Sequence, residues 1–197
     1  MRENLLMDLK GMQTEKNLLV AYHGESNNRN MYTFFAEKAK EEGYEQVAAI
    51  FIETASHEYE HAKQILNIIQ MRDIELPKVI FPVKGVGNTI SNLQTAVSGE
   101  HYEKSIMYPD FVKIADEEGF TDVAKILRFI TSVEAEHERR FRILLQNMKA
   151  GKIFRKDSVV KWKCRACGYV KKNRNAPKVC PLCRCSRAYF ELFTENY

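Results

Sequence analysis

The most constraining feature of this 197-residue chain is a Glu-x-x-His motif that interrupts an apolar helical stripe twice. Over residues 45–72, core spacing collects Val47, Ile50, Phe51, Thr54, Glu58, His61, Ile65 and Ile68. Over 121–148 it collects Val123, Ile126, Leu127, Ile130, Glu134, His137, Phe141 and Leu144. In both stretches Glu and His stand three residues apart and so share one helix face. Two further stretches have helical periodicity. Residues 14–42 align Leu18, Ala21, Glu25, Asn28, Tyr32 and Phe35, and residues 89–118 align Ile90, Leu93, Val97, Glu100, Glu103, Met107 and Phe111. Four helices therefore aim carboxylates into one core.

A buried ionised carboxylate costs several kcal/mol unless it is paired. No Lys or Arg stands on these stripes, so metal cations are the compensation that remains. One Glu from each of two helices, with a Glu-x-x-His from each of the other two, is the donor pattern of di-iron and di-manganese carboxylate bundles. Oxygen and imidazole donors suit iron or manganese and leave positions open for a small oxidant. Glu103 is one donor more than the six-ligand pattern needs, so coordination is expected to change with oxidation state. Tyr32 and Tyr108 are placed to hydrogen-bond the ligating carboxylates; the alternative for each is a core aromatic with a satisfied hydroxyl. His23, His57 and His101 have no Glu three residues before them and read as solvated or packing histidines.

The helix boundaries are legible. Glu42-Gly43 and Glu118-Gly119 end the first and third helices with a glycine suited to a left-handed cap. Thr121-Asp122 suits the start of the fourth, and Pro109 is expected to kink or break the third. Residues 73–88 carry Pro77, Pro82, Gly85 and Gly87 and read as a long connection. Short–long–short linkage is the connectivity of a ferritin-like bundle. The spacing repeats, with Glu25 thirty-three residues before Glu58 and Glu100 thirty-four before Glu134. Two helix pairs related by an approximate two-fold axis would produce it. The expected organisation is a bundle over 1–148, a linker over 149–160 and a small metal-organised domain over 161–197.

All five cysteines lie between Cys164 and Cys185. Cys164-x2-Cys167 and Cys180-x2-Cys183 form a pattern for four thiolates on one tetrahedral ion, which zinc or a single iron accepts. Gly168 allows close backbone approach, so that amides can bond the sulfurs. Trp162, Tyr169, Tyr189 and Phe190 can wall a small core. These details favour iron, with a zinc ribbon as the alternative. Cys185 reads as a spare thiol.

The net charge of +4 divides into +10 from Lys149 onward and −6 before it. The division suits attraction between the two parts more than nucleic acid, because the tail has no base-reading helix. No run of apolar residues is long enough to span a membrane. Met1–Lys10 lacks the apolar core of a signal peptide, which leads to the expectation of a cytoplasmic protein.

The ordered motifs resemble those of rubrerythrins over about residues 14–195. They are Gly24-Glu25-Ser26, Glu58-x-x-His61, Gly99-Glu100-x-x-Glu103, Met107-Tyr108-Pro109, Glu134-x-x-His137, Cys164-x2-Cys167-Gly168-Tyr169 and Ala176-Pro177-x-x-Cys180-Pro181-x-Cys183. The resemblance implies a mainly α fold: a ferritin-like four-helix bundle with a di-iron site, then a small rubredoxin-like domain with short β-strands and one iron on four cysteines. It implies Glu25, Glu58, Glu100, Glu103, Glu134 and His137 as di-iron ligands, with His61 replacing Glu103 on one iron upon reduction. It implies Cys164, Cys167, Cys180 and Cys183 as ligands of the mononuclear iron.

The implied activity is reduction of hydrogen peroxide to water in oxidative-stress defence. Electrons would come from a rubredoxin or an NAD(P)H-dependent reductase, since the chain has no dinucleotide fingerprint of its own. A head-to-tail homodimer would pass them from one subunit's cysteine site to the other's di-iron site. Cys185 stands where family members often have a histidine near the inter-site path. The rival functions are a ferritin-like iron oxidase or store, separable by particle size, and a zinc-ribbon adaptor, separable by metal content and colour.

Overall fold

The computed structural model describes residues 9–69 and 85–195. Helices α1 (Gln13–Glu41) and α2 (Glu45–Ile68) form one antiparallel pair. The second pair is α3 (Thr89–Tyr102), a π-turn (Glu103–Met107) and α4 (Tyr108–Glu117), packed on α5 (Thr121–Lys149). The three-stranded antiparallel sheet has the order β2 (Val170–Asn175), β1 (Arg155–Cys164), β3 (Phe190–Leu192). The architecture is a ferritin-like four-helix bundle followed by a rubredoxin-like domain. Residues 70–72, and Pro77 and Pro82 of the expected long connection, lie outside the described residues.

The third helix departs from the expected single rod. Its irregularity precedes Pro109: the Tyr108 N–H bonds the Glu103 carbonyl five residues back, and Pro109 then enters the first turn of α4. Proline has no N–H for a carbonyl four residues earlier, and a π-turn absorbs that loss without a sharp break. At the start of α5 the cap position belongs to Phe120, and no side chain caps it, so the expected Thr121-Asp122 cap is not made.

Two apolar clusters lie at either end of the bundle core. One gathers Leu18, Ile65, Tyr108, Val123 and Leu127, the other Tyr32, Phe35, Phe51, Leu93 and Phe141. The inward carboxylates occupy the band between them.

The two halves cap one another. Glu118, at the end of α4, accepts from the Gln13 and Thr14 amides at the start of α1, at 2.9 and 2.8 Å. Glu42, at the end of α1, accepts from the Thr89 amide and hydroxyl at the start of α3, at 3.0 and 2.7 Å. Thr14 and Glu25 have their counterparts 75 residues later, at Thr89 and Glu100. Tyr32, Glu42, Gly43, Glu58 and His61 have theirs 76 later, at Tyr108, Glu118, Gly119, Glu134 and His137. The additional residue enters between Glu100 and Tyr108, the interval that holds the π-turn.

The small domain rests on the α1–α2 turn of its own chain. Tyr44 and Phe154 stack with ring centroids 6.0 Å apart, and Ala188 approaches Gly43, whose φ of +82° suits glycine.

Candidate metal centres

Helical spacing places Glu58 and His61 on the inner face of α2, and Glu134 and His137 on that of α5; all four are buried. Glu25 reaches in from α1 and Glu100 from α3. Their donor atoms form two groups, each with all members within 4.8 Å: Glu25, Glu58, His61 and Glu134, and Glu58, Glu100, Glu134 and His137. Glu58 and Glu134 belong to both groups, as two bridging carboxylates would. His61 Nδ1 lies 2.9 Å from Glu134, 3.3 Å from Glu58 and 3.4 Å from Glu25. His137 Nδ1 lies 2.7 Å from Glu134, 3.2 Å from Glu58 and 3.7 Å from Glu100.

Glu103 is buried but stands outside both groups, and its Oε1 accepts from the Asn28 side-chain amide at 2.8 Å. Asn28 and Glu103 are themselves counterparts 75 residues apart, so the internal repeat is broken at this pair. The tyrosines act across the halves: the Tyr32 hydroxyl donates to Glu100 and the Tyr108 hydroxyl to Glu25.

The electrostatics test whether cations fit. Burial, then repulsion from Glu134 and Glu25, holds Glu58 well above the ordinary carboxylate range. Burial, then Glu25, does the same to Glu103. Burial pushes Glu100 up to about 8 against a bond from His137. Burial also opposes charge on Glu134, but bonds from His137 and His61 outweigh it and bring Glu134 down to about 2. Burial disfavours the imidazolium forms too, yet the carboxylates around them hold His61 far above its usual value and raise His137 to about 12. The protein alone thus balances this cluster only by loading it with protons. Glu103 Oε2 is buried with no hydrogen bond, and the inner oxygens of Glu25, Glu58, Glu100 and Glu134 have only the two imidazole Nδ1 atoms to share among them. Two divalent cations would bring four positive charges to those oxygens and free both imidazoles to act as neutral ligands. The donors fit such a pair.

The four thiols at Cys164, Cys167, Cys180 and Cys183 also lie within 4.8 Å of one another. Cys164 and Cys183 sulfurs are 3.7 Å apart, and Cys167 and Cys180 sulfurs 3.6 Å. These are no disulfides; a tetrahedral ion with bonds of ~2.3 Å has edges of about 3.8 Å. Each Cys-x2-Cys forms a turn whose following residue is left-handed, Gly168 at φ +77° and Arg184 at φ +65°. The next amide then bonds the second sulfur: Tyr169 to Cys167, and Cys185 to Cys183, which brings Cys183 down to about 6. Cys185 therefore contributes its backbone amide, and its thiol, outside the four-sulfur group, also bonds Cys183. Trp162, Phe190, Tyr169 and Tyr189 pack around the site.

His57 differs from its reading as a solvated or packing residue. It is half-buried, and its Nδ1 lies 3.0 Å from Nε2 of His137, with the rings nearly parallel at 8°. The partner is 80 residues away, so motif spacing gave no sign of it beyond adjacency to Glu58. His101 lies 3.4 Å from Glu138 at the surface, and His23 packs edge-on to Tyr22.

Fold and sites together define a ferritin-like carboxylate bundle joined to a rubredoxin-like four-cysteine domain. The family model described as Rubrerythrin matches residues 16–145, and that described as Rubrerythrin, rubredoxin-like domain matches residues 162–191. The chain belongs to the rubrerythrin family. It is 46% identical to rubrerythrin of Porphyromonas gingivalis, over 96% of this chain and 94% of that protein. It is 41% identical to rubrerythrin of Nitratidesulfovibrio vulgaris, over 98% of this chain and all of that protein. A structure titled as the fully reduced, all-ferrous state of nigerythrin aligns with a TM-score of 0.63 at 30% identity, covering 95% of this chain and 91% of that one. The family comprises iron-dependent oxidoreductases of the peroxidase type, with a di-iron site and a rubredoxin-like iron. Among the described residues no helix is long and apolar enough to cross a membrane.

Proposed function

We propose that this protein reduces hydrogen peroxide to water, using electrons delivered through its four-cysteine centre. The observation that carries this reading is the pair of interleaved donor groups sharing Glu58 and Glu134. Glu25 and His61 would complete one metal position, and Glu100 and His137 the other. When bound, a di-ferrous pair supplies one electron from each ion and open positions for a small oxidant. The overall step consumes one peroxide, two electrons and two protons and yields two waters.

The chain's own groups hold protons and geometry. Burial, followed by the charge of Glu100 beside Tyr32 and of Glu25 beside Tyr108, keeps both phenols protonated. Each therefore remains a donor that fixes its carboxylate. Glu103, held near Asn28 and raised by burial, can keep a proton inside the site and can re-enter the coordination shell. Cys164, Cys167, Cys180 and Cys183 would hold one ion with all four thiolates, leaving no open position, which suits electron carriage rather than oxygen chemistry.

The donors would be a rubredoxin or an NAD(P)H-linked reductase, and the working unit a cytoplasmic homodimer. Support for a second subunit comes from where the small domain rests. Its contact at Gly43 is fifteen residues of helix from Glu58, ~22 Å along α2. A partner's four-cysteine site would then serve the carboxylates in place of the chain's own.

The test is anaerobic. Protein with iron at both sites is fully reduced, about one equivalent of hydrogen peroxide is added, and the visible ferric–thiolate band is followed. Rapid return of the band, with a much slower response to dioxygen, is expected. No response in protein holding iron at both sites would refute the reading.

A further inference from the structure

We propose that His57 is a positioning residue for the metal position served by His137. The inference rests on the metal reading above. His137 presents its two ring nitrogens in opposite directions. Nδ1 faces Glu134, Glu58 and Glu100, and Nε2 faces His57 Nδ1 at 3.0 Å. A neutral imidazole that gives a metal its Nδ1 lone pair must carry its proton on Nε2. In that tautomer Nε2–H donates, and His57 Nδ1 is the acceptor that receives it. The reverse arrangement, with His57 donating, would leave a proton on His137 Nδ1, pointing at the carboxylates and offering no lone pair. His57 thus selects both the tautomer and the ring orientation that ligation requires.

The internal repeat supplies the contrast. The counterpart of His57, 76 residues later, is Val133, which can accept nothing. His61, the counterpart of His137, has only its Nδ1 contacts, and among the described residues no hydrogen bond holds its Nε2. One imidazole is tethered from behind and the other is not. The two metal positions would therefore be unequal, with His137 held in place from behind and His61 not.

The test compares His57→Leu with His57→Asn. The two side chains have nearly the same shape, but only Asn places an oxygen acceptor where His57 Nδ1 stands. Each full-length variant, with iron already in its four-cysteine site, is titrated anaerobically with ferrous ion by calorimetry. The parent is expected to bind two ions at the carboxylates. His57→Leu should weaken one of them by about 10–100-fold and leave the other within about threefold. His57→Asn should keep both within about threefold of the parent. Equal weakening in both variants would make His57 a packing residue and overturn the proposal, as would no weakening in His57→Leu. A loss above tenfold in His57→Asn overturns it whatever the leucine variant does. A parent that binds no ferrous ion at the carboxylates would instead overturn the metal reading, and the proposal with it.

Discussion

Replacing Glu118 by Ala removes a helix cap that comes from the other half of the bundle. The lost bonds are those from the Gln13 and Thr14 amides, at 2.9 and 2.8 Å. Losing an N-terminal side-chain cap costs about 0.5–2 kcal/mol. Losing a negative charge at the positive end of a helix dipole costs about 0.3–1 kcal/mol more. Glu118 is partly exposed, so solvent screening favours the lower half of the sum, ~1.5 kcal/mol. In a chain of this size that lowers Tm by about 3–6 °C. Glu42→Ala removes the symmetric cap on α3 and should cost about as much. The two caps lie at opposite ends of the 29-residue α1, ~43 Å apart, so their costs should add to about 3 kcal/mol.

The acid limb gives a second check on the same cap. Burial raises the Glu118 pKa, but bonds from Thr14 and Gln13 outweigh it and hold the folded-state value below the ordinary one. Its stabilisation is therefore complete above the unfolded-state pKa and is lost as pH falls through the folded-state value. The gap between parent and Glu118→Ala should narrow in that window. Thermal unfolding at matched iron loading measures these quantities, and amide exchange at Gln13 and Thr14 locates them. A double variant no less stable than either single one, or unchanged exchange at those two amides, would refute the capping argument.

Three further outcomes are expected. Tyr108→Phe should weaken the metal position containing Glu25 and His61 by about 10–100-fold, and Tyr32→Phe the one containing Glu100 and His137; loss at the same position in both variants would contradict the crossed pairing, and ferrous titration reads it. Cys164→Ala should retain a single peroxide turnover after chemical reduction of the di-iron site yet lose steady-state cycling; unchanged cycling with a protein donor would count against electron delivery through the thiolates. Ferrous loading of the carboxylates near pH 7 should release at least two protons per chain, because His61 and His137 are held protonated by the carboxylates around them; binding heats that do not vary with buffer ionisation would contradict this.

The bundle was readable because helical periodicity and burial chemistry pointed the same way. Glu58, His61, Glu134 and His137 fall on stripes whose other members are apolar, and all four are buried in the structure. What escaped the sequence depends on distance or on backbone detail. His57 gains its partner from a helix 80 positions away. The reciprocal caps join Glu118 to Thr14 across 104 positions and Glu42 to Thr89 across 47. Pro109 announced an irregularity but not its kind, because a π-turn is set by which carbonyl receives the Tyr108 N–H. Glu103 was legible as an inward carboxylate; its partner Asn28 stands 75 positions away, on another helix.

The π-turn has a consequence best expressed as an angle. An α-helix advances about 100° per residue, so one residue added between Glu100 and Tyr108 would turn everything after it by that amount if the helix stayed regular; the π-turn takes up the added residue and restores the phase. With the added residue kept but the π-turn replaced by regular α-helix, Met107, seven after Glu100 as Tyr32 is seven after Glu25, would occupy the bearing from which Tyr108 reaches Glu25, and a thioether would replace a phenol. The buried side of α4, with Ala115 and the edge of Phe111, would rotate away from α5 in the same movement. A single deletion within Glu103–Met107 would therefore let the segment run as plain α-helix, like the Glu25–Tyr32 interval of α1, and leave the bearing of α4 unchanged. The π-turn is thus what keeps the repeated halves in phase although one of them is a residue longer.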